Sequence, residues 1–402
     1  MKILLINTVY SIGSTGKICA HLYKSAQKSG HTPYIGYGRN YCPNVPNSYL
    51  IGNKVDFFFH VLSNFFCGNS GFASTHVTKK FLKWVDTVHP DLIHLHNIHG
   101  FYINIPLLFD YIKFKDIPVI WTLHDCWAMT GQCAYFDLIH CDKWKIQCQR
   151  CPQFRNAYPY SLFKDNSFQN YINKRNAFQG VTNLTVVTPS HWLANLVKQS
   201  FLSSYPVKII PNGIDLSIFK PSENVCLSPQ YILGVANIWD HRKGLSFFIE
   251  LASLLDETLS IILIGTTVSQ KHKIEKNTHH KIKCITHTNN QKELSVYYSN
   301  ALAFVNPTLE DTFPTTNLEA LACGTPVITF NTGGSPEAIS DDCGIVVKEK
   351  TSKALFQAIM SLKNSTKISS IACRQKALEY GSEAKYDQYI KLYESVIQKK
   401  QP

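Results

Sequence analysis

The segment Asn306–Ile328 constrains the fold most, because it carries a complete strand–loop–helix–strand pattern in one short stretch. An apolar run, Ala303–Val305, precedes an acidic loop, and Gly324–Pro326 separates the following helix from the next apolar run, Val327–Phe330. Such a unit places two parallel strands in one sheet with a helix packed on its face. The segment therefore predicts an α/β domain built on a parallel sheet.

The same segment carries side chains suited to a ligand that is part polyol and part phosphate. They lie on the loop and at the predicted helix start, with the last of them in the first turn: Glu310, Asp311, Thr315, Thr316, Asn317 and Glu319. Acidic side chains can bind sugar hydroxyls, and backbone N–H groups at a helix start bind anions. A nucleotide-sugar offers both groups. The alternative is structural, because Thr316 and Glu319 have the spacing of a capping box, which needs no ligand.

The chain has 402 residues, enough for two domains that each bury a hydrophobic core. Its composition, 45% hydrophobic and 17% charged, is that of a globular protein. No apolar run reaches the length of about 18–20 residues needed to span a bilayer. The N-terminal stretch MKILLINTVY is expected to be a first buried strand rather than a signal peptide, since no small-residue cleavage site follows it. These features predict a cytoplasmic protein.

The net charge is +12, from 40 Lys and Arg against 28 Asp and Glu. Such an excess favours anionic partners. Because the basic residues are spread along the chain and no nucleic-acid recognition motif is present, we expect phosphorylated substrates and the inner-membrane surface as partners, and no nucleic acid. The aromatic run Asp56–Cys67 is either core or a face that docks on the membrane, which would make the protein peripheral on the cytoplasmic membrane face.

Strand and helix patterns alternate along the chain, which predicts α/β domains with parallel sheets. The first series of apolar runs is Lys2–Ile6, Thr32–Tyr37, Leu92–Leu95, Val119–Leu123 and Leu184–Pro189. The second series is Lys208–Ile210, Tyr231–Val235, Ser260–Ile264, Lys283–Ile285, Leu302–Val305 and Val327–Phe330. We therefore expect one domain at residues 1–206 and a second at 207–384, with a hinge at Leu202–Pro206. Residues 385–402 are expected to form a last helix, whose return to the first domain the sequence leaves open.

A Gly-containing turn follows the first predicted strand, with the residues Gly13, Ser14, Thr15 and Gly16. Backbone N–H groups in such a turn can approach a phosphate or a sugar closely. The turn matches neither G-x-G-x-x-G nor the P-loop pattern, which disfavours dinucleotide binding and a P-loop ATPase. The alternative is a tight turn with a structural role only.

The stretch WTLHD places a pair, His124 and Asp125, at the end of a predicted buried strand. A histidine there can hydrogen-bond a sugar hydroxyl while the adjoining aspartate fixes its tautomer, and the alternative is a satisfied core histidine. The residues His94, His96 and His99 resemble metal-ligand spacing. Because no carboxylate ligand lies near them in sequence, we expect polar residues of a cleft rather than a metal site.

Four of the 13 cysteines are clustered at Cys133, Cys141, Cys148 and Cys151, in a loop-rich insertion at 126–152. Four thiolates can close a tetrahedral zinc site, and one C-x2-C pair is present. Unligated thiols are one alternative. Disulfides are the other, and a reducing cytoplasm disfavours them.

Two further strand-to-helix turns have ligand-binding character. Arg242 and Lys243 follow the Tyr231–Val235 run at a predicted helix start, where Arg can bind a pyrophosphate bidentately and Lys can add a point charge. The alternative is a solvated basic turn. Gly333 and Gly334 form another turn whose backbone can approach a ligand.

Together these blocks resemble the GT-B glycosyltransferases, specifically the retaining glycosyltransferase family 4. The resemblance covers essentially the whole chain and rests on the Gly13/Gly16 turn, His124, Pro189–Trp192, Pro211–Asp215, Arg242–Gly244, Glu310–Pro326 and Gly333–Gly334. The stretch HDCWAMTGQCAYF and the cysteines after it resemble a bacterial subgroup that builds exopolysaccharide, capsule or O-antigen units. The resemblance implies an α/β chain of two Rossmann-like, parallel-sheet domains facing across a cleft, the first binding the acceptor and the second the nucleotide-sugar.

The resemblance also implies roles for individual residues. The catalytic set is His124, Asp125, Arg242, Lys243, Asp311 and Glu310; the donor-binding set is Glu319, Thr315, Thr316, Asn317, Gly333 and Gly334; the acceptor or phosphate turn is Gly13, Ser14, Thr15 and Gly16. In the family's E-x7-E motif the second acidic residue, here Glu319, holds the ribose. The position eight residues earlier is Asp311 rather than Glu, so either Asp311 or Glu310 contacts the sugar. The family's usual Arg is absent from 234–237, which gives Arg242 more of the phosphate binding.

The implied reaction moves a sugar from a nucleotide-sugar to a lipid-linked glycan with retention of configuration, and needs no metal or other cofactor for catalysis. Absence of a D-x-D motif agrees with metal independence. One competing hypothesis is a GT-B-like nucleotide-sugar epimerase, which the E-x7-E-like segment disfavours. The other is a non-catalytic, zinc-containing scaffold of a polysaccharide assembly complex, which nucleotide binding would distinguish from an enzyme.

Overall fold

A computed structural model describes residues 1–40, 42, 45–222 and 230–398. The chain forms two compact units. Unit 1 contains Met1–Pro211 and the chain from Tyr386 onward, and unit 2 contains Asn212–Lys385. Each unit is built on one parallel sheet with helices, so the α/β class predicted for both domains is confirmed.

The sheet of unit 1 has seven parallel strands in the order β3-β2-β1-β4-β5-β6-β7. Their bounds are β1 Lys2–Val9, β2 Thr32–Arg39, β3 Ser48–Leu50, β4 Leu92–Leu95, β5 Val119–Thr122, β6 Leu184–Thr188 and β7 Val207–Ile209. The interior strand β1 is buried along six consecutive positions, as expected for a strand covered on both faces. This explains why the N-terminal sequence reads as a continuous apolar run.

In the part of unit 1 that the structure describes, seven helices lie wholly or in part. They are α1 Gly13–Lys28, α2 Lys54–Cys67, α3 Thr75–Val88, α4 Ile105–Lys115, α5 Ser167–Phe178, α6 His191–Lys198 and the last helix, α13 Ser382–Gln398. The unit border runs through α13, whose Tyr386, Tyr389 and Tyr393 are buried in a cluster with residues of β1 and α1. The chain therefore returns to unit 1 at its end through the apolar face of this helix.

The sheet of unit 2 has six parallel strands in the order β10-β9-β8-β11-β12-β13. The bounds are β8 Gln230–Val235, β9 Leu259–Ile264, β10 Ile282–Ile285, β11 Ala303–Asn306, β12 Val327–Phe330 and β13 Gly344–Val347. The helices are α7 Leu245–Leu254, α8 Val268–Asn277, α9 Gln291–Ser299, α10 Thr315–Ala322, α11 Ser352–Lys363 and α12 Ser370–Leu378. Apolar clusters form the core of the unit.

One strand lies in a different sheet from the one predicted. The run at Lys208–Ile210 was expected to open the second sheet, but β7 pairs with β6 at the edge of the first. The predicted hinge at Leu202–Pro206 is also wrong, because this turn joins α6 to β7 inside unit 1 and buries Leu202 completely. The first unit accordingly extends to Pro211. A short edge strand carries little pattern of its own, so its sheet was not readable from the sequence.

The aromatic run at Asp56–Cys67 forms most of α2. Its Asn53 cap and Asp56 make a complete capping box. Several of its apolar side chains are exposed, namely Val55, Phe58, Phe59 and Phe66, so the run is not simply core. Among the described residues, no helix combines the length and the apolar character needed to cross a membrane.

Candidate active site

The strand orders define where ligands bind in each sheet. In an open parallel sheet the strand order reverses at one point, so the loops that leave the two strands there run to opposite faces of the sheet. A crevice forms between these loops at the carboxyl ends of the strands. In unit 1 this point lies between β1 and β4, and in unit 2 between β8 and β11. The predicted residues of unit 2 lie on the loops after β8, β11 and β12, which are neighbours in the sheet.

The predicted phosphate-binding pair, Arg242 and Lys243, lies on a short 3-10 turn, His241–Lys243, that follows β8. Asp240 caps this turn by accepting a hydrogen bond from the Lys243 backbone N–H at 2.9 Å. The Arg242 guanidinium donates to the backbone carbonyl of Glu310 at 2.9 Å. The Lys243 ammonium donates to Asp311 Oδ2 at 2.6 Å, and both side chains are largely buried. Arg242 and Lys243 are therefore held against the acidic loop, a contact that the sequence analysis did not predict.

The acidic loop after β11 presents its two carboxylates differently. Asp311, the residue in register with the motif, is the one paired with Lys243. Glu310 is only 7% exposed and contributes its carbonyl oxygen to Arg242 and to the Thr308 hydroxyl. The two positions therefore have different surroundings, although they are adjacent in the chain.

Helix α10 begins without a side-chain cap, which makes the capping-box alternative wrong. Its cap position is Pro314, and no side chain there accepts a backbone N–H. Glu319 was expected in the first turn but follows it, and its Oε2 accepts a hydrogen bond from the Tyr298 hydroxyl at 3.0 Å. The half-buried Thr315 and Thr316 form the first turn instead. The N-terminal amides of α10 thus lack a side-chain cap and suit an anion.

Asn317 lies in a different place from the ligand-facing one predicted. Its side chain is fully buried, accepts from Asn306 Nδ2 at 2.8 Å, and donates to the backbone carbonyl and hydroxyl of Ser335 at 3.0 and 3.1 Å. The Ser335 hydroxyl also contacts Thr329. Asn317 therefore positions α10 relative to β11 and β12, and its side chain is not available to bind a nucleotide-sugar.

Gly333 and Gly334 support the acidic loop. Gly333 has φ +55°, and a Cβ there would lie 2.0 Å from the carbonyl oxygen of Asp311. The Gly334 N–H donates to the same oxygen at 3.1 Å. The glycines thus allow the turn after β12 to pack directly on the Asp311 peptide, a role that requires the absence of a side chain.

In unit 1, the residues predicted to form a turn after β1 belong to helix α1. The helix begins at Gly13, which has φ +63°, and includes Ser14, Thr15 and Gly16 in its first turn. Asn7, at the end of β1, donates to the Thr15 hydroxyl at 3.4 Å. No acidic residue or side-chain cap occupies this helix start, so its amides remain suited to an anion.

The His124–Asp125 pair is organised differently from the prediction. Asp125 accepts from His99 Nε2 at 2.8 Å and from the Trp127 backbone N–H at 2.9 Å, so it orients His99 rather than His124. His124 Nε2 instead lies 3.0 Å from His96 Nδ1, and the two rings stack. The expected tautomer control of His124 by Asp125 is therefore wrong.

The surroundings make His124 a neutral group at physiological pH. The pKa of His124 is lowered to about 4, chiefly by burial; Asp125 opposes the shift and nearby His99 adds to it. Burial alone would raise the pKa of Asp125, but the charge and the hydrogen bond of His99 outweigh it, so that this pKa lies below its ordinary value. His124 can thus donate or accept a hydrogen bond but does not serve as a cation.

The neighbouring histidines are not the cleft residues that the sequence suggested. His94 is completely buried, with Nδ1 2.7 Å from the Tyr393 hydroxyl and Nε2 2.8 Å from the Thr122 hydroxyl. His96 is also buried, and its ring centroid lies 4.1 Å from that of His94. Sequence reasoning missed Tyr393. The spacing of the tyrosines in the last helix, which marks one helical face, was the available signal.

The four clustered cysteines come together in unit 1 and line one small cavity. Two short 3-10 turns, Trp127–Met129 and Lys143–Lys145, interrupt an otherwise irregular segment there. Among the described residues, no group of three or more His, Cys, Asp or Glu side chains has the arrangement of a metal site.

Two family models match the chain. The one described as Glycosyltransferase Family 4 matches residues 16–218, half of the chain. The one described as Glycosyl transferases group 1 matches residues 229–365. The first match covers most of unit 1 and the second most of unit 2, so both parts that carry the candidate residues are matched.

Known proteins are similar over all or part of this range. WcaC of Escherichia coli K12, a putative colanic acid biosynthesis glycosyl transferase, is 23% identical over 98% of this chain and 100% of its own length. An N,N'-diacetylbacillosaminyl-diphospho-undecaprenol alpha-1,3-N-acetylgalactosaminyltransferase of Campylobacter jejuni is 26% identical over 45% of this chain and 48% of that enzyme. The crystal structure of Anabaena HepE in complex with UDP and glucose superimposes with a TM-score of 0.66 at 16% identity, covering 98% of this chain and 99% of HepE.

The likeness to HepE supports the GT-B fold, which agrees with the seven-stranded parallel sheet of unit 1 and the six-stranded parallel sheet of unit 2. The family model identifies the chain more closely than the fold does, since it matches by sequence. With this match and the paired Arg242–Lys243 and Asp311 loops in unit 2, the chain belongs to glycosyltransferase family 4.

Proposed function

We propose that this glycosyltransferase moves a sugar from a nucleotide-sugar to a lipid-linked saccharide in bacterial surface-polysaccharide biosynthesis, with retention of configuration. The observation that carries the proposal is the pairing of Arg242 and Lys243 with the acidic loop of Asp311 at the switch point of unit 2. The named functions of WcaC and the Campylobacter enzyme, and the UDP and glucose in HepE, support the substrate classes.

In the proposed reaction, the bond between the anomeric carbon and the diphosphate oxygen breaks as the acceptor oxygen attacks from the same face. The acceptor proton passes to the departing diphosphate. Lys243 and Arg242 neutralise the charge that develops on this leaving group, with the N-terminal amides of α10 as further donors. Catalysis therefore rests on fixed cations, and we propose that the reaction requires no metal ion.

The remaining donor contacts follow from the same loops. Glu319 holds the ribose, because a carboxylate has lone pairs for several donors and Tyr298 already orients one oxygen. Asp311 pairs with Lys243 and contacts the transferred sugar, while His124 serves as a neutral hydrogen-bonding partner for a sugar hydroxyl. A Lys243 ammonium has three N–H donors, enough to keep Asp311 while it binds phosphate.

A lipid-linked acceptor requires access to a membrane surface, and helix α2 suits that task. Phe58 and Phe59 are more than half exposed, and Phe66 stacks on exposed Phe163 with ring centroids 5.2 Å apart. Exposed aromatic side chains insert at the bilayer interface, and a net charge of +12 attracts anionic lipids. We therefore place the protein in the cytoplasm, peripheral on the inner face of the membrane.

The experiment measures nucleotide binding and transfer in Lys243→Ala beside wild type. UDP, GDP and dTDP are each added at millimolar concentration, and a ligand at 100 times its Kd stabilises the folded chain by about 2.7 kcal/mol. One nucleotide should raise the melting temperature of the wild type. Lys243→Ala should fold and lose most of this shift, and its transfer of labelled sugar to membrane lipid extracts should fall about 100- to 1000-fold.

The matched control is Lys353→Ala, which removes an exposed lysine of α11 in the same unit. It should keep both the nucleotide shift and the transfer rate. Wild-type transfer by Lys243→Ala would refute the assignment of the cations. If none of the three nucleotides stabilises the wild type, the scaffold hypothesis replaces the enzyme. The anomeric configuration of the product, read by NMR, tests retention separately.

A further inference from the structure

The four clustered cysteines line a space of atomic size. Cys133, Cys141, Cys148 and Cys151 lie, with other residues of the insertion at 126–152, around a cavity of about 20 Å³. A volume of this size holds about one small sphere such as a water molecule or an ion. The folding of unit 1 therefore brings together four thiols that are spread along the sequence, around a space for one occupant.

The cavity wall contains buried polar atoms that have no partner in the described part of the chain. They are Trp144 Nε1, Gln132 Oε1 and Ser167 Oγ. A buried N–H without an acceptor is rare in native proteins and points to a group that the protein residues do not supply. The indole N–H of Trp144 can donate a hydrogen bond to a thiolate sulfur, whereas the sulfur of a neutral thiol is only a weak acceptor.

A buried lysine holds the backbone beside the cluster. Lys174 is 1% exposed, and its Nζ donates to the carbonyls of Trp127 and Thr130 at 2.8 and 3.0 Å and lies 3.3 Å from the centroid of the Trp127 ring. These contacts fix the start of the segment that carries the four cysteines.

From the shared cavity and the buried polar atoms without a partner in its wall, we propose that Cys133, Cys141, Cys148 and Cys151 bind one structural Zn²⁺. Thiolates reach zinc at about 2.3 Å in tetrahedral geometry, and the ion provides the attraction that draws the four sulfurs inward from the cavity wall. The site is separate from the transfer chemistry. The ion fixes the far part of the irregular segment that continues from Asp125. Lys174 holds the near part, because it binds the carbonyl of Trp127, whose N–H donates to Asp125.

The experiment measures zinc by inductively coupled plasma mass spectrometry on protein purified without added metal, beside the double variant Cys148→Ser/Cys151→Ser. The wild type should hold one zinc per chain and the variant none. The matched control, Cys67→Ser, removes an exposed cysteine outside the cluster and should keep the metal. Removal of zinc by a chelator should lower the melting temperature of the wild type, and added zinc should restore it.

Two further measurements on the wild type test the proposal even if the double variant does not fold. Replacement of zinc by Co²⁺ in the wild type should give the intense absorption of thiolate-to-cobalt charge transfer. Thiols are also counted in unfolded, metal-depleted, unreduced protein, where all 13 cysteines should react. Protein that purifies without metal and shows neither Co²⁺ absorption nor loss of thiols overturns the proposal in favour of free thiols. Loss of four reactive thiols overturns it in favour of two disulfides.

Discussion

The contact between Gly333 and the Asp311 peptide provides a prediction whose size follows from the geometry. In Gly333→Ala, the new Cβ would lie 2.0 Å from the Asp311 carbonyl oxygen, well inside van der Waals contact, so the turn after β12 must move by more than about 1 Å. That movement breaks the 3.1 Å hydrogen bond from Gly334 to the same oxygen. The substitution therefore disturbs the loop that holds the carboxylate paired with Lys243.

Three contributions add up to the expected loss of stability. A non-glycine residue at φ +55° costs about 1 kcal/mol, the lost hydrogen bond about 1 kcal/mol, and the forced displacement about 1 kcal/mol or more. The total is about 3 kcal/mol. The matched control is Gly30→Ala, at φ +76° with no atom within 4 Å of the added Cβ, where only the backbone cost of about 1 kcal/mol applies.

The assay is urea denaturation of both variants, together with UDP, GDP or dTDP titration by calorimetry. Gly333→Ala should be about 2 kcal/mol less stable than Gly30→Ala and should bind its nucleotide at least about tenfold more weakly. Gly30→Ala should bind nucleotide like the wild type. Equal stability of the two variants would show that the turn and the acidic loop do not pack as closely as the structure has them, and would refute the reasoning.

Two further predictions concern a hydrogen bond and a buried histidine. Tyr298→Phe removes the hydroxyl that orients Glu319, so calorimetry should find nucleotide affinity reduced about tenfold, while Tyr297→Phe on the same helix should leave it unchanged. Burial lowers the pKa of His60 to about 4. Because the unfolded chain binds this proton at a higher pH, stability should fall as pH drops from about 6.5 to about 4, by up to about 3 kcal/mol for one such residue. The dependence of melting temperature on pH should become weaker in His60→Gln and stay unchanged in the control His140→Gln, which replaces an exposed histidine. The same dependence in His60→Gln as in the wild type would contradict the burial argument.

Much of the candidate site was predictable because it follows from local pattern. Arg242 and Lys243 follow one strand and Asp311 follows another, and the carboxyl ends of neighbouring parallel strands lie at one edge of a sheet. The sequence therefore indicated that both groups lie on loops that leave strands, and the sheet order then brings the two loops together. The same reasoning identified the strands themselves, including the Leu92–Leu95 strand with its bounds.

The partner of each side chain was not predictable in the same way. Asp125 is adjacent to His124 in sequence but bonds His99, because consecutive residues leaving a strand point in different directions. The alternative interpretation of Glu319 was a capping residue, yet its side chain accepts a hydrogen bond from Tyr298 on α9. The alternatives were chemically reasonable, and only the packing of neighbouring elements distinguishes them.

What the sequence by itself determined is the class of the fold and the chemistry at the strand ends. Apolar periodicity and turn residues act over a few positions, and a parallel α/β chain repeats them from end to end. The tertiary structure decided which strand joins which sheet and which side chains pair across it. The bond between His94 and Tyr393 joins residues 299 positions apart, and β7 completes the first sheet rather than the second. Such contacts depend on strand order and register, which are properties of the whole packed chain, and no local pattern encodes them.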